Sequence, residues 1–460
     1  MHLSSAAHVT FYLPDLPLFQ CLVSPESRHI SLFPLSFRTK PFVFESVYTA
    51  GDEDSQQRLR EASQLREAVA AATMQGDSAA AAAAIDLYLP VLHGVVSSVA
   101  AHDGLPSTGG RLVFAWTSGG DKEPGKQYYS LYTLGYEVCM IVSTRAYCEC
   151  NLAAQELESP SGMGDEPSKK ALALLKSAAS MFAAIASHVL PLNESLPVQR
   201  SLEVLPLYHR SLELLCRTSC QLLAINQAVI RGMSVPLVAK LYSGASQLCG
   251  LSLQHLSGLN SDWNDVDPSL RNFASGACHY FLGVALQLQA KTEWEAGKHG
   301  EAVSQIRESK HRFDKAYSGG IMHYASKSLS ERVDSDRTQT VNLLALYEKE
   351  NGMVYFARIP AEDPSVETKV VAAETGHWSM PAPTIRVVCW MSAHAALPLA
   401  LLERIRYCSR EELSIFCSPS LNPPLRFPSP RLDLTVPFCD VQAPYTAGSH
   451  TGESLSLPPV

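Results

Sequence analysis

The stretch from residue 281 to residue 313 reads FLGVALQLQAKTEWEAGKHGEAVSQIRESKHRF. Apolar residues recur at helical spacing before and after a short turn that contains Gly297 and Gly300. Because glycine often ends a helix, this pattern predicts two antiparallel helices joined by a tight turn. A single helical hairpin cannot bury its apolar stripes alone, so we expect further helices stacked on both sides. The apolar positions are Leu282, Leu286, Ala290 and Trp294 in the first helix, and Ala302, Ile306 and Phe313 in the second.

The composition indicates a chain that can form a large core. Of its 460 residues, 46% are hydrophobic and 18% are charged, which argues against global disorder. The net charge of −8, without a basic cluster, argues against nucleic acid as the main ligand. The chain shows no apolar run long enough for a transmembrane helix, and its N-terminus does not resemble a signal peptide. We therefore expect a cytoplasmic protein with reduced thiols.

Metal and catalytic motifs are not evident. The 12 cysteines include no Cys-x-x-Cys pair, so we expect them to be small core residues and expect no metal site. The histidines form no His-Glu-x-x-His motif, and no Gly-x-Ser-x-Gly motif occurs. A catalytic site assembled from distant residues stays open, but no residue points to one, and an enzyme is the least favoured interpretation.

The periodicity along the chain predicts a mainly all-α fold. Residues 30–48 are rich in β-forming residues and predict an extended patch, which could be a hairpin. Residues 111–116 predict either a short strand or the lead-in to the next helix. Helices are expected to begin near Ser55, at Ser78, at 127, after Ser168, at Pro206, after Ser234, after Asp267 and near 330. The helix from 127 should end at 158 and the one from Pro206 at Ile230. Pro90 should kink the helix that begins at Ser78 or split it into two.

The two ends of the chain differ from its middle. Beyond Lys369 no lysine occurs and prolines are frequent, and only residues 395–412 keep a helical pattern. We therefore divide the chain into an N-terminal extension (1–29), a helical domain (30–381) and a proline-containing, partly disordered C-terminal tail (382–460).

One loop carries a partial nucleotide-binding motif. Residues 120–126 read GDKEPGK, which has the Gly-x4-Gly-Lys core of a phosphate loop. Gln127 replaces the Ser or Thr that would hold magnesium, and no apolar strand ending in Asp follows. Asp121 and Glu123 add negative charge, and Pro124 lacks an N–H, where phosphates would bind. A connecting surface loop is therefore the favoured interpretation, and we expect no cofactor.

The most informative apolar residues lie in residues 216–249, CRTSCQLLAINQAVIRGMSVPLVAKLYSGASQLC, where Gly232 separates two apolar helices. Two interpretations of their apolar faces stay open. Most such residues in a helical array are core. Alternatively, some line a surface groove that accepts an amphipathic helix of a partner.

Three blocks of the sequence resemble one known family. The first is Cys220-Gln221 through Ala228, Arg231 and Met233 to Val238-Ala239-Lys240-Leu241. The second is the turn Gly297-Lys298-His299-Gly300-Glu301-Ala302, and the third is NLLALYEKENGMVYFARIP at 342–360. Together they resemble the Bro-one domain family, the helical domain of ALIX-like, ESCRT-associated proteins, over residues 30–381. The resemblance implies a banana-shaped helical array with a tetratricopeptide-like hairpin core and a small extended patch near the N-terminus.

The resemblance also implies a function. Members are non-enzymatic adaptors that bind the C-terminal amphipathic helix of an ESCRT-III subunit through an apolar groove, in multivesicular-body sorting or related membrane remodelling. The protein would then be cytoplasmic and endosome-associated. Carried over to this chain, the groove residues are Ala224, Leu237, Leu241 and Val370. Tyr355 stands where the family has a tyrosine that can be exposed.

Two departures from the family pattern affect these expectations. Many members carry a large aromatic residue where this chain has Ala224, which removes roughly 2–3 kcal/mol of apolar contact, and Ile225 is a candidate to compensate. The last four residues, Leu-Pro-Pro-Val, contain no prenylation box, so we expect membrane association through the partner or the curved surface itself. The alternative function is a generic tetratricopeptide-like scaffold for an unrelated peptide, although we find no 34-residue recurrence.

Overall fold

The computed structural model describes residue 33 and residues 35–101, 111–158, 165–189, 197–321, 327–372 and 378–382. Most of these residues are helical, which confirms the prediction of a mainly all-α fold. The N-terminal extension, the tail from 383 onward and its expected helix at 395–412 lie outside the described residues. The α-helices are α1 Glu53–Gln75, α2 Ser78–Ala101, α3 Leu134–Glu158, α4 Asp165–Ala184, α5 Pro206–Ile230, α6 Val235–Ser257, α7 Pro268–Glu295, α8 His299–Ala316 and α9 Lys327–Glu350.

Consecutive helices pack on one another along the array. The hairpin of α7 and α8 is one of the most extensive of these contacts, as its sequence predicted. Its turn depends on Gly297, which has φ +78°, while the Lys298 N–H donates to the Glu293 carbonyl oxygen at 2.8 Å. Gly300 lies instead in the first turn of α8. A Cβ there would come within 2.0 Å of the Arg358 carbonyl oxygen, so this glycine permits close backbone packing rather than a turn.

The ends of several helices follow from local sequence. Helix α5 has the predicted bounds, because Pro206 opens it and Gly232 follows it with φ +62°. The Asp267 carboxylate caps α7 by accepting from the Ser269 N–H at 2.7 Å. In helix α2, Asp77 rather than the predicted Ser78 provides the cap, and the helix is not split at Pro90.

A small sheet replaces part of an expected helix. Strand β1 (Phe114–Thr117) pairs antiparallel with β2 (Tyr128–Leu131), so the helix predicted from residue 127 begins only at Leu134. Thr39 bridges to Trp116 of β1, so this part of the extended N-terminal patch pairs with β1 rather than forming a hairpin of its own. The segment around Thr39 is thus a third extended chain beside β1.

A buried ion pair anchors this sheet to the helices. Arg66 of α1 and Glu137 of α3 are almost fully buried, and the Arg66 Nε atom lies 2.8 Å from Glu137 Oε1. The same carboxylate accepts from the Trp116 indole N–H at 2.7 Å and from the Tyr88 hydroxyl at 3.2 Å. Because a buried charge is costly unless it is paired and hydrogen-bonded, this network holds β1 in one position on α1, α2 and α3.

Among the described residues, two helical stretches are long and apolar enough to cross a membrane, Ser78–Val99 and Glu166–Val189. Half of each is buried inside the protein. Both pack between neighbouring helices of the array, as core helices of a helical protein do.

Candidate partner-binding surface

Helices α5 and α6 meet at a four-residue corner. The Met233 N–H donates to the Ala228 carbonyl oxygen and the Gly232 N–H to that of Val229, both at 2.9 Å. Such bonds end a helix in the conformation that glycine favours. Ser234 then precedes α6, although its side chain makes no capping hydrogen bond. The short corner places the two helices side by side.

A segment from far along the chain crosses this helix pair. We call residues 366–372 the crossing segment. Its Lys369 N–H donates to the Lys240 carbonyl oxygen at 3.0 Å. The Ser243 hydroxyl contacts that of Thr368 at 2.9 Å, and Lys240 forms an ion pair with Glu367. The crossing segment is therefore held along α6 by backbone, hydroxyl and charged groups.

Gln221 of α5 is the central attachment of the crossing segment. Its amide nitrogen donates to the carbonyl oxygens of Leu241 and Lys369 at 2.9 and 2.8 Å. Its amide oxygen accepts from the backbone N–H groups of Val371 and Ala372 at 2.9 and 3.1 Å. The side chain is fully buried, and these four bonds use the full capacity of a glutamine amide. One side chain thus joins α5, α6 and the crossing segment.

Gly244 of α6 makes this close approach possible. A Cβ at this position would lie 2.3 Å from the Lys369 carbonyl oxygen and 2.9 Å from the Gln221 amide nitrogen. Only a residue without a side chain lets the backbone of the crossing segment pass so near to a helix.

Sequence reasoning assigned no role to Gln221 or Gly244. Gln221 stands inside the block that resembles the family, and a glutamine in an otherwise apolar helical stretch was the available signal. The signal for Gly244 was a glycine inside a helical pattern, because glycine there lowers helix stability unless close packing requires it.

The structure brings the five expected groove residues to this region but buries them to different extents. Ala224 and Leu237 are half-buried, and Val370 is 37% exposed. Ile225 and Leu241 are only 3% and 4% exposed and belong to the main core. The expectation that these two line an open groove does not match their burial, because the helices cover the faces on which they lie. Ala224, Leu237 and Val370 each keep part of their surface accessible.

A second exposed apolar surface surrounds Tyr355, which is 44% exposed. Its ring stacks on that of His299 with centroids 3.5 Å apart, and the Trp294 ring lies 5.6 Å away, edge to face. The Asn351 side chain fixes the turn, because it both donates to the Ala357 carbonyl oxygen and accepts from its N–H. The expected tyrosine is therefore accessible and held in place. Its exposed apolar neighbours are Met353, Val354 and Phe356.

The residues matched by one family model include these helices and the crossing segment. The model of the BRO1-like domain matches residues 40–384, which is most of the chain. The chain belongs to the BRO1-like domain family. No curated protein matches it in sequence.

Solved structures share the fold of this BRO1-like domain at low identity. The ALIX BRO1 CHMP4C complex is 20% identical, with a TM-score of 0.53, over 75% of this chain and 93% of that chain. ALIX in complex with the SIVmac239 PYKEVTEDL late domain is 18% identical, with a TM-score of 0.57, over 77% of this chain and 50% of that one. A Bro1 domain described as the basis for endosomal targeting is 14% identical, with a TM-score of 0.55. The match covers 83% of this chain and 96% of that chain.

The glycine-rich loop of this BRO1-like domain uses its N–H groups internally. The Gly119 N–H donates to the Glu203 carboxylate, that of Gly120 to the Ser118 hydroxyl and that of Lys122 to the Asp265 carbonyl oxygen. A phosphate loop needs such groups free to cradle phosphates. The geometry therefore favours a structural connector between β1 and β2. Lys126 is exposed and pairs with Glu123 at 3.3 Å.

Beneath the loop lies a buried cluster of titratable groups. Burial raises the pKa of Glu203 to about 7 and that of Asp121 to about 6, and it lowers the pKa of His209 to about 4. The Glu203 carboxylate accepts from the Ser118 hydroxyl at 3.0 Å, and the Tyr129 hydroxyl donates to Asp121 at 2.6 Å. These contacts tie the loop to β2 and to the start of α5, which is a structural role.

Six of the seven cysteines of the described residues are buried, and Cys278 is partly buried. Burial raises the pKa of Cys148 and of Cys220 to about 12, so both thiols stay protonated and unreactive at neutral pH. Within the described residues, no group of three or more His, Cys, Asp or Glu side chains could hold a metal ion.

Proposed function

We propose that this BRO1-like domain is a non-enzymatic adaptor that binds the C-terminal amphipathic helix of an ESCRT-III subunit. The observation that carries this proposal is the crossing segment. Because Gln221 and Gly244 hold it against α5 and α6, Val370 and Val371 stay 37% and 43% exposed beside those helices. A fixed apolar surface beside two helices suits the apolar face of an amphipathic helix.

The relatives support a partner of this kind. The ALIX BRO1 domain, which shares the fold, has been solved with CHMP4C bound. A second relative is described in terms of endosomal targeting. We therefore propose that the protein is cytoplasmic and endosome-associated, reaches the membrane as a peripheral protein through its partner, and acts in multivesicular-body sorting or related membrane remodelling.

The size of the interaction follows from the side chains. Fully burying a valine or leucine contributes roughly 1.5–3 kcal/mol. Ala224 contributes less than the aromatic residue common in the family, so Leu237, Val370 and Val371 would supply most of the apolar contact. We expect an affinity that depends strongly on each of them.

The test is a titration of labelled C-terminal peptides of CHMP4C and other ESCRT-III subunits with the full chain, followed by fluorescence anisotropy. Val370→Asp should weaken the complex by about tenfold or more, because it removes apolar contact and adds a charge that must be desolvated. Leu87→Asp is the matched control, since Leu87 on α2 is 65% exposed and lies outside this surface. Thermal melting of both variants shows whether the fold is intact.

Two results would contradict the proposal. The first is that the wild-type chain binds none of the ESCRT-III peptides. The second is that Val370→Asp, with a normal melt, binds as well as Leu87→Asp does. If unrelated amphipathic helices bind as tightly as the ESCRT-III peptides, the generic peptide scaffold becomes the better account.

A further inference from the structure

The turn that follows α9 exposes four large apolar side chains in a row. Met353, Val354, Tyr355 and Phe356 are 68%, 63%, 44% and 75% exposed. We call these four residues the apolar tip. Single apolar residues are common on the surface of a soluble protein, but a continuous run of large ones marks a place of contact with another molecule. The proposed adaptor function does not use this tip.

The backbone of the apolar tip is strained at its last residue. Phe356 has φ +52° and ψ +27°, the left-handed conformation, which is unfavourable for a residue with a bulky side chain. The other non-glycine residue with positive φ in the described part of the chain is Asn260, and asparagine tolerates this conformation. Within that part of the chain, neither the backbone nor packing accounts for a phenylalanine at this position.

Hydrogen bonds hold the apolar tip in one position. The Phe356 N–H donates to the Asn351 carbonyl oxygen at 2.6 Å. The buried Asn351 side chain donates to the Ala357 carbonyl oxygen at 3.0 Å and accepts from the Ala357 N–H at 2.9 Å. At the base of the tip, Gly300 of α8 packs directly on the Arg358 backbone. The exposed side chains are therefore ordered before any partner arrives, which lowers the entropy cost of binding.

The charges around the apolar tip are balanced. Residues 348–358, EKENGMVYFAR, carry two carboxylates and two cations. Beside the tip, Glu348 pairs with Arg307 at 2.7 Å and Lys298 with Glu293 at 2.9 Å. In a two-fold dimer the same surface meets itself, so a patch with a net charge repels its copy and a neutral patch does not. The balance of charge around this tip fits a second copy of the chain.

The exposed area of the apolar tip matches what a weak dimer needs. Taking about 200 Å² for a whole aromatic side chain and somewhat less for methionine and valine, the four side chains expose roughly 400–500 Å². Two copies would together bury roughly 800–1,000 Å², which is the lower end of the range for specific protein interfaces. An interface of this size dissociates at micromolar or higher concentrations, so association would respond to the local concentration of the protein.

We propose that the chain forms a weak two-fold dimer in which the apolar tips of two copies pack against each other. Phe356, the most exposed of the four residues, would lie at the centre of the contact. Such a dimer carries two partner-binding surfaces, which would act together on partners that lie close to each other. That consequence rests on the proposed adaptor function, whereas the dimer itself does not.

The test is sedimentation velocity of the full chain without peptide, over concentrations from about 1 to about 100 μM. We expect a monomer at the low end and an increasing fraction of dimer toward the high end. Phe356→Asn should weaken the dimer by about tenfold or more, because it removes the largest apolar contact. The same variant should keep or raise the melting temperature, because asparagine adopts the left-handed conformation more readily. A residue needed only for folding would lower it.

A second variant has a matched control. Met353→Ser should also weaken the dimer, whereas Met74→Ser on α1 should leave it unchanged, since Met74 is 69% exposed and lies outside the apolar tip. If Phe356→Asn lowers the melting temperature, Met353→Ser takes its place under the same criterion. Because each copy must supply an intact tip, labelled Phe356→Asn should also associate only weakly with unlabelled wild type.

Three results would overturn the proposal. The first is a wild-type chain that sediments as a monomer at every concentration. The second is an equal loss of association in Met353→Ser and Met74→Ser. The third is that labelled Phe356→Asn binds wild type as tightly as wild type binds itself, which would mean that the tip contacts a different surface of the second copy. Peptide binding is measured separately, so failure here leaves the proposed adaptor function standing.

Discussion

Gln221 and Lys369 are 148 residues apart in the chain, and the Gln221 amide nitrogen donates to the Lys369 carbonyl oxygen at 2.8 Å. This bond and its three companions fix the crossing segment on α5 and α6. The surface proposed to bind a partner therefore depends on a buried polar side chain. An apolar residue of the same size could fill the space but could not satisfy the four backbone groups.

Gln221→Ala should lower the free energy of unfolding by roughly 2–4 kcal/mol, because it leaves buried backbone groups without partners. It should also weaken ESCRT-III peptide binding by releasing Val370 and Val371. Urea denaturation and peptide titration measure the two effects. Gln227→Ala, about 1.7 turns further along the same helix at a half-buried position, is the control and should change either quantity little. Equal effects of the two variants would show that the Gln221 hydrogen bonds do not hold the crossing segment in place.

Gly244→Ala and Gly250→Ala should have opposite effects, although both lie on α6. A Cβ at Gly244 would meet the Lys369 carbonyl oxygen at 2.3 Å, so the crossing segment must shift at a cost of roughly 1–3 kcal/mol. At Gly250 the nearest atom is the Cys278 sulfur at 3.4 Å. There alanine should be neutral or stabilise by up to about 1 kcal/mol through its helix propensity. Thermal denaturation of both variants decides the sign.

Leu241→Asp should unfold the domain or destabilise it by more than about 4 kcal/mol, because it buries an unpaired charge where the leucine is 4% exposed. Leu251→Asp is the matched control on the same helix, where the side chain is 40% exposed, and should cost less than about 1 kcal/mol. Circular dichroism during heating measures both. A normal melt for Leu241→Asp would mean that its face is open and would restore the expectation that it lines a groove.

Glu203 should make stability depend on pH. Burial raises its pKa in the folded state to about 7, above the ordinary value of 4.5, so the folded state holds the proton more tightly. The resulting stabilisation is fully present below pH 4.5 and is lost as the pH rises through 7. Its upper limit is about 3 kcal/mol.

The measurement compares the free energy of unfolding of the wild type and of Glu203→Gln across this range. The wild type should lose stability relative to the variant as the pH rises from 4.5 to 7. His209 contributes in the opposite direction, since its lowered pKa makes stability fall as the pH drops from 6.5 through about 4, but it titrates in both proteins and cancels in the difference. If the free energy of unfolding changed with pH in the same way in the wild type and in Glu203→Gln, Glu203 would not have a raised pKa in the folded state.

Much of the array could be predicted from local signals. Pro206 and Gly232 set the bounds of α5, Asp267 and Pro268 start α7, and Gly297 ends it, because each of these residues acts on the backbone within a few positions. The helical spacing of apolar residues around that turn predicted the α7–α8 hairpin. These signals carry no information about which distant segment covers a given face.

Tertiary contacts decided the small sheet and the candidate partner-binding surface. Residues 128–131 fit a helical pattern as well as an alternating one, and only pairing with β1 selects the strand. Leu237 and Leu241 share a helix face by periodicity, yet packing buries the second and leaves the first half-buried. The position of Val370 depends on hydrogen bonds to Gln221, far away in sequence. Local sequence determines where a helix begins and ends because its bonds are local, whereas exposure depends on every chain segment that packs against it.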